Sequence, residues 1–196
     1  MKKIMLLALI CMASLSSFSQ SFRNGLGVSV FSGKPDGLDS KVMGAITWSP
    51  YLSFMEKDNL SLSVGLPLSM GLSGTYNSRV DKSENTLSFM FNAPLMLNFN
   101  MGAGSSRKNR DRFGWFVGAG FGYHYQTGLD EIEIDENGDY HTIGGEKSTV
   151  GPVANAGVRI GVGSSSRHNI EIKASYMKGV SGSKASIIGV GCFFNF

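Results

Sequence analysis

Three histidines, His124, His141 and His168, are the residues of this chain best suited to hold a transition metal or to act as a general base. His124 lies in a segment of alternating apolar and polar residues, His141 in a long polar segment and His168 at a short polar break. Residues so placed do not converge on one metal ion. We therefore expect no metal, no other cofactor and a packing role for His124.

The acidic stretch 130–146 has part of the spacing of a calcium-binding loop. Asp135, Asn137, Asp139 and Glu146 stand at positions 1, 3, 5 and 12 of such a loop. The glycine required at position 6 is replaced by Tyr140, and glycine stands at position 4 instead. We expect a solvated acidic tip there, without calcium.

Four charged residues alternate with apolar neighbours and would share the polar face of their strands: Arg23, Arg159, Glu171 and Lys173. On a curved sheet with its apolar face outward, these side chains point into the interior. Buried charges are tolerated only when they are paired and hydrogen-bonded. The pattern therefore predicts an ion network that fills the interior.

The first nineteen residues have the pattern of a secretory signal peptide, which is removed from the mature protein. Lys2 and Lys3 precede ten consecutive apolar residues, and a small-x-small cleavage site ends at Ser19, just before Gln20. A lipoprotein signal through Cys11 is disfavoured because Ile10 stands where a small residue is expected.

Cleavage there changes both the charge and the cysteine content of the chain. Loss of the two lysines lowers the formal net charge from +3 to +1, so we expect no nucleic-acid partner. Cys192 becomes the only cysteine, which excludes an internal disulfide in spite of export to an oxidising compartment.

The composition of the chain argues against a helical membrane protein and a charged coiled coil. Glycine supplies 26 of 196 residues, and charged residues make up only 17%, against roughly 25% in typical soluble domains. The mean hydropathy is -0.00, and no apolar run reaches the ~18 residues of a membrane-spanning helix. A membrane protein of this composition would have to cross with alternating β-strands.

Alternation with a period of two dominates the chain from residue 21 onward. It is clearest over 60–73, where Leu, Val and Met alternate with Ser, Gly and Pro. The same rule predicts eight strands, at residues 22–32, 41–54, 59–73, 86–101, 112–127, 149–163, 169–180 and 185–196. Long polar segments at 74–85 and 128–148 separate some of these strands, whereas short ones at 55–58 and 164–168 separate others.

An eight-stranded barrel has room inside only for a filling of side chains or one small ligand. The apolar face is therefore predicted to point outward toward lipid, and Gly, Ser, Thr and Asn to fill the inside. Outward aromatic residues gather at two levels, as in the girdles of membrane barrels, with Trp48 between them. Segment 128–148 is predicted to form a ribbon about Asn137–Gly138, with Ile132 across from Ile143.

The last strand ends on Phe196, with Phe194 two residues before it and apolar residues at most alternate positions. Together with the signal sequence and the eight strands, it resembles the small outer-membrane barrels of OmpA-membrane-domain and OmpX type, over essentially all of residues 21–196. Residues 20–196 are therefore predicted to be the barrel domain. The resemblance implies an all-β, eight-stranded antiparallel up-and-down transmembrane β-barrel in the outer membrane of a Gram-negative-type bacterium. It also implies that Phe194 and Phe196 form an assembly signal for the barrel-insertion machinery.

Three functions fit such a barrel. The first is a structural or surface-interaction role through the outer loops, next to outer-membrane lipids and lipopolysaccharide, with an unknown surface partner for 128–148. The second is a narrow channel for small solutes, which bulky inward residues such as Met43, Tyr51 and Met90 disfavour. The third is a lipid-modifying enzyme.

The enzyme is disfavoured by the residues around His124. Lipid A deacylases, which the chain resembles in size, carry a serine two residues after a histidine, and here Gln126 occupies that place. We therefore predict the first function, with no catalytic residue.

Overall fold

The structure is a computed structural model that describes residues 21–34, 41–76, 85–134, 140–163, 168–182 and 184–196. It is built from β-strands, of which we number eight in chain order. Their bounds are β1 (Ser21–Arg23 and Gly25–Lys34), β2 (Lys41–Trp48 and Tyr51–Lys57), β3 (Leu60–Gly65 and Leu68–Tyr76), β4 (Asn85–Gly102), β5 (Phe113–Ile134), β6 (Tyr140–Val162), β7 (His168–Lys178) and β8 (Ser186–Asn195). The short strand Ser181–Gly182 also pairs with β6. No α-helix in the described part of the chain is long and apolar enough to cross a membrane.

The eight strands form a closed ring. Each strand pairs antiparallel with its neighbours in the chain, and the last strand pairs with the first, from Asn195↔Gly25 to Ser186↔Lys34. Backbone hydrogen bonds between Asn24 and Phe196, at 3.0 and 2.8 Å, extend this seam by one more pair. A closed ring leaves no free sheet edge. The antiparallel pairing of chain neighbours, together with this closure, confirms the predicted up-and-down barrel.

Prolines interrupt two strands that the alternation predicted to be continuous. β2 breaks at Ser49–Pro50 and β3 breaks at Leu66–Pro67. Proline has no backbone N–H to give to a ladder, which accounts for the breaks at these two positions, although Pro94 and Pro152 lie within continuous strands. The two breaks lie side by side, and the N–H of Leu66 donates to the carbonyl oxygen of Pro50 at 3.0 Å. Both strands then resume with the same neighbours.

The apolar face of the sheet points outward, as predicted. Leu95 in β4 is 56% exposed, whereas Asn100 on the other face of the same strand is fully buried. The outward aromatic residues include Phe22, Phe113, Trp115, Phe194 and Phe196 toward one end and Phe89, Tyr123 and Tyr176 toward the other. Trp48 also points outward, and its indole N–H donates to Oδ1 of Asn24 at 3.2 Å. Asn24 thus accepts the hydrogen bond of the indole N–H, which lipid acyl chains could not accept.

The two ends of the barrel differ. At one end, which we call the turn end, the chain connects β2 to β3 at 58–59 and β4 to β5 at 103–112, and β1 begins beside Phe196. We call the other end the ribbon end. β5 and β6, which extend toward it, are 22 and 23 residues long, although a strand needs only about 9–11 residues to cross a bilayer. The β5–β6 ladder continues to Ile134↔Tyr140. This extension, within residues 128–148, we call the ribbon.

The predicted register of the ribbon is wrong by one residue. Ile132 pairs with Thr142, and Ile143 pairs with Glu131. Pairing of Ile134 with Tyr140 leaves five residues between them, and an odd number cannot be spanned by a two-residue turn with paired flanks. Residues 135–139, including Asn137 and Gly138, lie outside the described residues.

Small polar side chains fill only part of the interior. Toward the ribbon end, a buried apolar cluster occupies it, which we call the methionine layer: Phe31, Met43, Ala45, Met90, Met96, Val153, Met177, Ala185 and Ile187. Inward glycines make the room. A Cβ at Gly71 would lie 2.9 Å from Cε of Met90, and one at Gly189 would lie 2.7 Å from Cε1 of Phe31. The predicted filling by Gly, Ser, Thr and Asn therefore holds for part of the interior, and Met43 and Met90, which were also predicted to point inward, belong to this cluster.

Candidate functional site

A cluster of charged side chains crosses the interior nearer the turn end. Arg159 of β6 pairs directly across from Glu171 of β7, and its Nε lies 2.8 Å from Oε2 of Glu171. Lys173, two residues along the same face of β7, places its Nζ 3.8 Å from Oε1. Asn195 donates from Nδ2 to Oε2 at 3.0 Å. Both carboxylate oxygens therefore have cationic neighbours, and we call this group the ion layer.

Aromatic and amide side chains hold the two cations of the ion layer. Arg159 donates from Nη1 to Oδ1 of Asn100 at 2.8 Å. Its guanidinium carbon lies 4.4 Å from the ring centroid of Phe116, and Nζ of Lys173 lies 4.2 Å from that of Phe193. Such cation–π contacts strengthen when the cation is removed from water. The ion layer is thus a buried cross-link between strands.

Arg23, the fourth member of the predicted network, does not join the ion layer. Its Nη1 donates to the carbonyl oxygen of Gly104 at 2.9 Å, and among the described residues it has no acidic partner. The structure therefore brings together Arg159, Glu171 and Lys173 and leaves Arg23 with the loop that joins β4 to β5.

That loop, residues 103–112, folds into the mouth of the barrel, and we call it the plug loop. Ala103 and Ser105 are at most 1% exposed, and Ser106 and Asn109 are also buried. Asn109 braces it to the neighbouring turn, because Nδ2 donates to the carbonyl oxygen of Asp58 at 3.0 Å and to Oδ1 of Asn59 at 2.9 Å.

Gly104 shows how closely the plug loop approaches the ion layer. Its φ is +76°, a conformation that favours glycine. A Cβ there would lie 2.9 Å from Nδ2 of Asn169 and 3.0 Å from Cδ of Arg159. The length of this connection, which is unusual for a short-turn end, therefore has a structural reason: it closes the barrel mouth.

The cavities that remain inside are the size of single water molecules. One of about 30 Å³ lies between the two layers and is lined by residues such as Met96, Asn155 and Lys173. Another, of about 20 Å³, lies beside Tyr51 and Arg159. A cavity needs roughly 10–15 Å³ to hold one water. The described interior therefore offers no space for a solute larger than water.

The histidines lie apart. His124 is buried on the inner wall, and its partners in register are Asn92 and Thr149. His141 belongs to the ribbon backbone, paired with Glu133, and His168 is exposed at the turn end, stacked on Phe194 with centroids 5.7 Å apart. Over the described ranges, no three His, Cys, Asp or Glu residues come together in a way that could hold a metal ion.

The comparison with protein families decides the identity of this fold. A model described as "Outer membrane protein beta-barrel domain" matches residues 5–196. The chain belongs to this family. The family match and the closed barrel together place the protein in the Gram-negative outer membrane.

Solved structures of other outer-membrane barrels share the fold. Ail, the attachment invasion locus protein of Yersinia pestis, is 10% identical, with a TM-score of 0.56 over 90% of this chain and 98% of that one. Neisserial surface protein A is also 10% identical, with a TM-score of 0.58 over 90% and 97%. At such identities the likeness concerns the fold alone. No curated protein sequence matches the chain.

The family also orients the barrel. Outer-membrane barrels have short turns in the periplasm and longer loops outside. The turn end therefore faces the periplasm, and the ribbon end faces the exterior. Phe194 and Phe196 lie outward at the periplasmic side, with ring centroids 6.3 Å apart, whereas Ser19 and Gln20 lie outside the described residues.

Sequence reasoning missed the plug loop, and it predicted Met43 and Met90 to point inward without their packing into the methionine layer. The plug loop carried a signal, because Gly102 to Ser106 is a run of small residues, Gly-Ala-Gly-Ser-Ser, before the basic part that begins at Arg107. Small residues allow backbone to enter a crowded interior. The sequence signal for the methionine layer was weaker, because it requires a comparison of inward glycines on one strand with bulky inward residues on the neighbouring strand.

Proposed function

We propose that this barrel is a sealed outer-membrane scaffold that acts through its outer loops, with the ribbon as the binding surface. The observation that supports this most strongly is the contrast between a filled interior and a β5–β6 ladder that continues well past the length a bilayer needs. Loops held by a rigid scaffold commonly carry binding function.

The chemistry of the ribbon restricts the partner. It carries seven acidic residues: Asp130, Glu131, Glu133, Asp135, Glu136, Asp139 and Glu146. The related fold of Ail was solved in complex with sucrose octasulfate, a heparin analogue. A sulfated ligand would be repelled by the acidic ribbon, so we do not carry that ligand over. We propose a basic partner, or lipopolysaccharide phosphates bridged by divalent cations.

Neutralising the ribbon should abolish its attraction for cations without disturbing the barrel. A variant with the seven acids changed to Asn or Gln should bind poly-L-lysine at least about tenfold more weakly than wild type, in phosphatidylcholine vesicles at low salt. Co-sedimentation measures the binding, and the heat-resistant band on an unboiled gel reports folding. The matched control, Asp81→Asn with Glu84→Gln in another predicted outer loop, should bind like wild type. Equal binding by all three proteins would contradict the proposal.

We also propose that the protein is not an enzyme. His124 has Asn92 and Thr149 as its partners in register, and the hydroxyl of Thr149 already donates to the carbonyl oxygen of Ser181 at 2.9 Å. A general base needs a nucleophile or substrate proton within hydrogen-bond reach. Deacylation of lipid A by the purified protein, abolished by His124→Ala, would refute this proposal.

Export and assembly complete the proposal. We propose cleavage after Ser19 and recognition of Phe194 and Phe196 by the barrel-insertion machinery, and the backbone pair between Phe196 and Asn24 gives the last residue a role in closing the seam. The intact mass of the outer-membrane protein tests the first point. Normal insertion of a chain lacking Phe196 would refute the second.

A further inference from the structure

Apart from the two water-sized cavities, a larger pocket opens at the turn end, away from the ribbon. Its volume is about 350 Å³, within the usual range for small-molecule sites. It is lined by Phe22, Arg23, Ser106, Arg107, His168 and Phe196. These residues come from the start of β1, the plug loop, the start of β7 and the chain after β8. The pocket therefore forms only when the barrel is closed and the plug loop is in place.

The polar residues of this pocket are hydrogen-bond donors. Arg23 is only 8% exposed, yet its Nη1 donates to a carbonyl oxygen, and no carboxylate lies against it among the described residues. The Oγ of Ser106 accepts the N–H of Lys108 at 3.1 Å, so its own O–H remains to donate. Arg107 and His168 are exposed. None of the six lining residues has an acidic side chain.

A nearly buried guanidinium without an anion is costly, so a pocket of this kind favours an anionic ligand. The ion layer does not supply the missing charge, because Glu171 there already faces Arg159 and Lys173. A carboxylate on the last residue, Phe196, would add one negative charge against two guanidinium groups. Planar guanidinium groups match phosphate oxygens in particular.

The other walls of the pocket indicate that the ligand also has an apolar part. Phe22 and Phe196 are 55% and 53% exposed, and both lie on the lipid-facing side at the periplasmic interface. Phe194 and His168 continue the same ring stack. A phosphate held by Arg23 and Arg107 would thus have acyl chains alongside these rings.

We infer that this pocket binds the phosphate of a phospholipid in the periplasmic leaflet, with a preference for an anionic headgroup. The plug loop supports that preference, since Arg107 is followed by Lys108, Arg110 and Arg112, against Asp111 alone. The inference does not rest on the proposed function, because it concerns the opposite end of the barrel.

Lipid titration of the refolded full-length mature chain in detergent micelles, followed by native mass spectrometry, tests the inference. Wild type should retain one dioleoylphosphatidylglycerol at least about tenfold more tightly than dioleoylphosphatidylcholine. Arg107→Gln should lose about fivefold of the phosphatidylglycerol affinity, the effect of one cation beside an anionic headgroup. The control Arg110→Gln, an exposed cation of the same loop outside the pocket, should change it by less than about twofold.

The remaining outcomes are equally decisive. Equal retention of both lipids, or equal losses in Arg107→Gln and Arg110→Gln, would overturn the inference and leave only diffuse attraction. Displacement of the lipid by inorganic phosphate at millimolar concentration would show a site for free phosphate and overturn the lipid assignment. If Arg107→Gln lost the heat-resistant band, His168→Gln would take its place, with an affinity loss again expected.

Discussion

Replacing Glu171 by Leu should destabilise the folded barrel by about 3 to 5 kcal/mol, the usual result of breaking a buried ion pair from one side. Glu171 is the acid that faces both Arg159, at 2.8 Å, and Lys173, at 3.8 Å. Its removal leaves two buried cations, which the neighbouring water-sized cavities can hydrate only a little. Arg159→Met should cost less, because Glu171 keeps Lys173.

Urea unfolding of the protein in lipid vesicles, followed by the heat-resistant band, measures these differences. The double variant Arg159→Met with Glu171→Leu should be more stable than Glu171→Leu alone, since it removes an unpaired buried charge. A loss below about 1 kcal/mol for Glu171→Leu would show that water reaches the ion layer and screens it.

Replacing Leu95 by Arg should cost about 2 to 4 kcal/mol, the effect of a cation at the midplane on the lipid face of a membrane barrel. Leu95 is outward, 56% exposed in the absence of lipid, and midway along β4. Met101 is also outward on β4 but lies near the turn end. Arg there reaches the headgroups, so Met101→Arg should cost only about 0 to 1 kcal/mol.

Folding titrations of Leu95→Arg and Met101→Arg in the same vesicles measure this depth dependence. Both substitutions replace an outward apolar residue by the same cation on one strand, so the difference isolates depth. Equal costs at the two positions would contradict a lipid-facing band around β4.

The fold could be predicted from the sequence because the face to which a side chain points depends on its odd or even position in the strand and not on the details of packing. Leu60 to Leu72 and the Arg159, Glu171 and Lys173 set keep their faces whatever the exact register, since a strand alternates strictly. Strand number and the direction of the apolar face follow from that alone. The breaks at Pro50 and Pro67 did not change which strands are neighbours.

Distances across the barrel could not be predicted in the same way. The pairing of Ile132 depended on whether the intervening loop has an odd or an even number of residues, which alternation does not encode. The close approaches of Gly104 to Arg159 and of Gly71 to Met90 bring together residues that are far apart in the chain. Arg23 had the right parity for the ion layer, but its height along the barrel places it against the plug loop.

Conductance in planar bilayers tests the sealed interior most directly. Single wild-type barrels, inserted after refolding, should give no stepwise current above that of the bare membrane, because the methionine layer, the ion layer and the plug loop close the interior in series. A variant with the ribbon shortened should be equally silent, since none of the three layers belongs to the ribbon. Steady, reproducible steps from the wild-type protein would contradict a sealed scaffold and favour a narrow channel for small solutes.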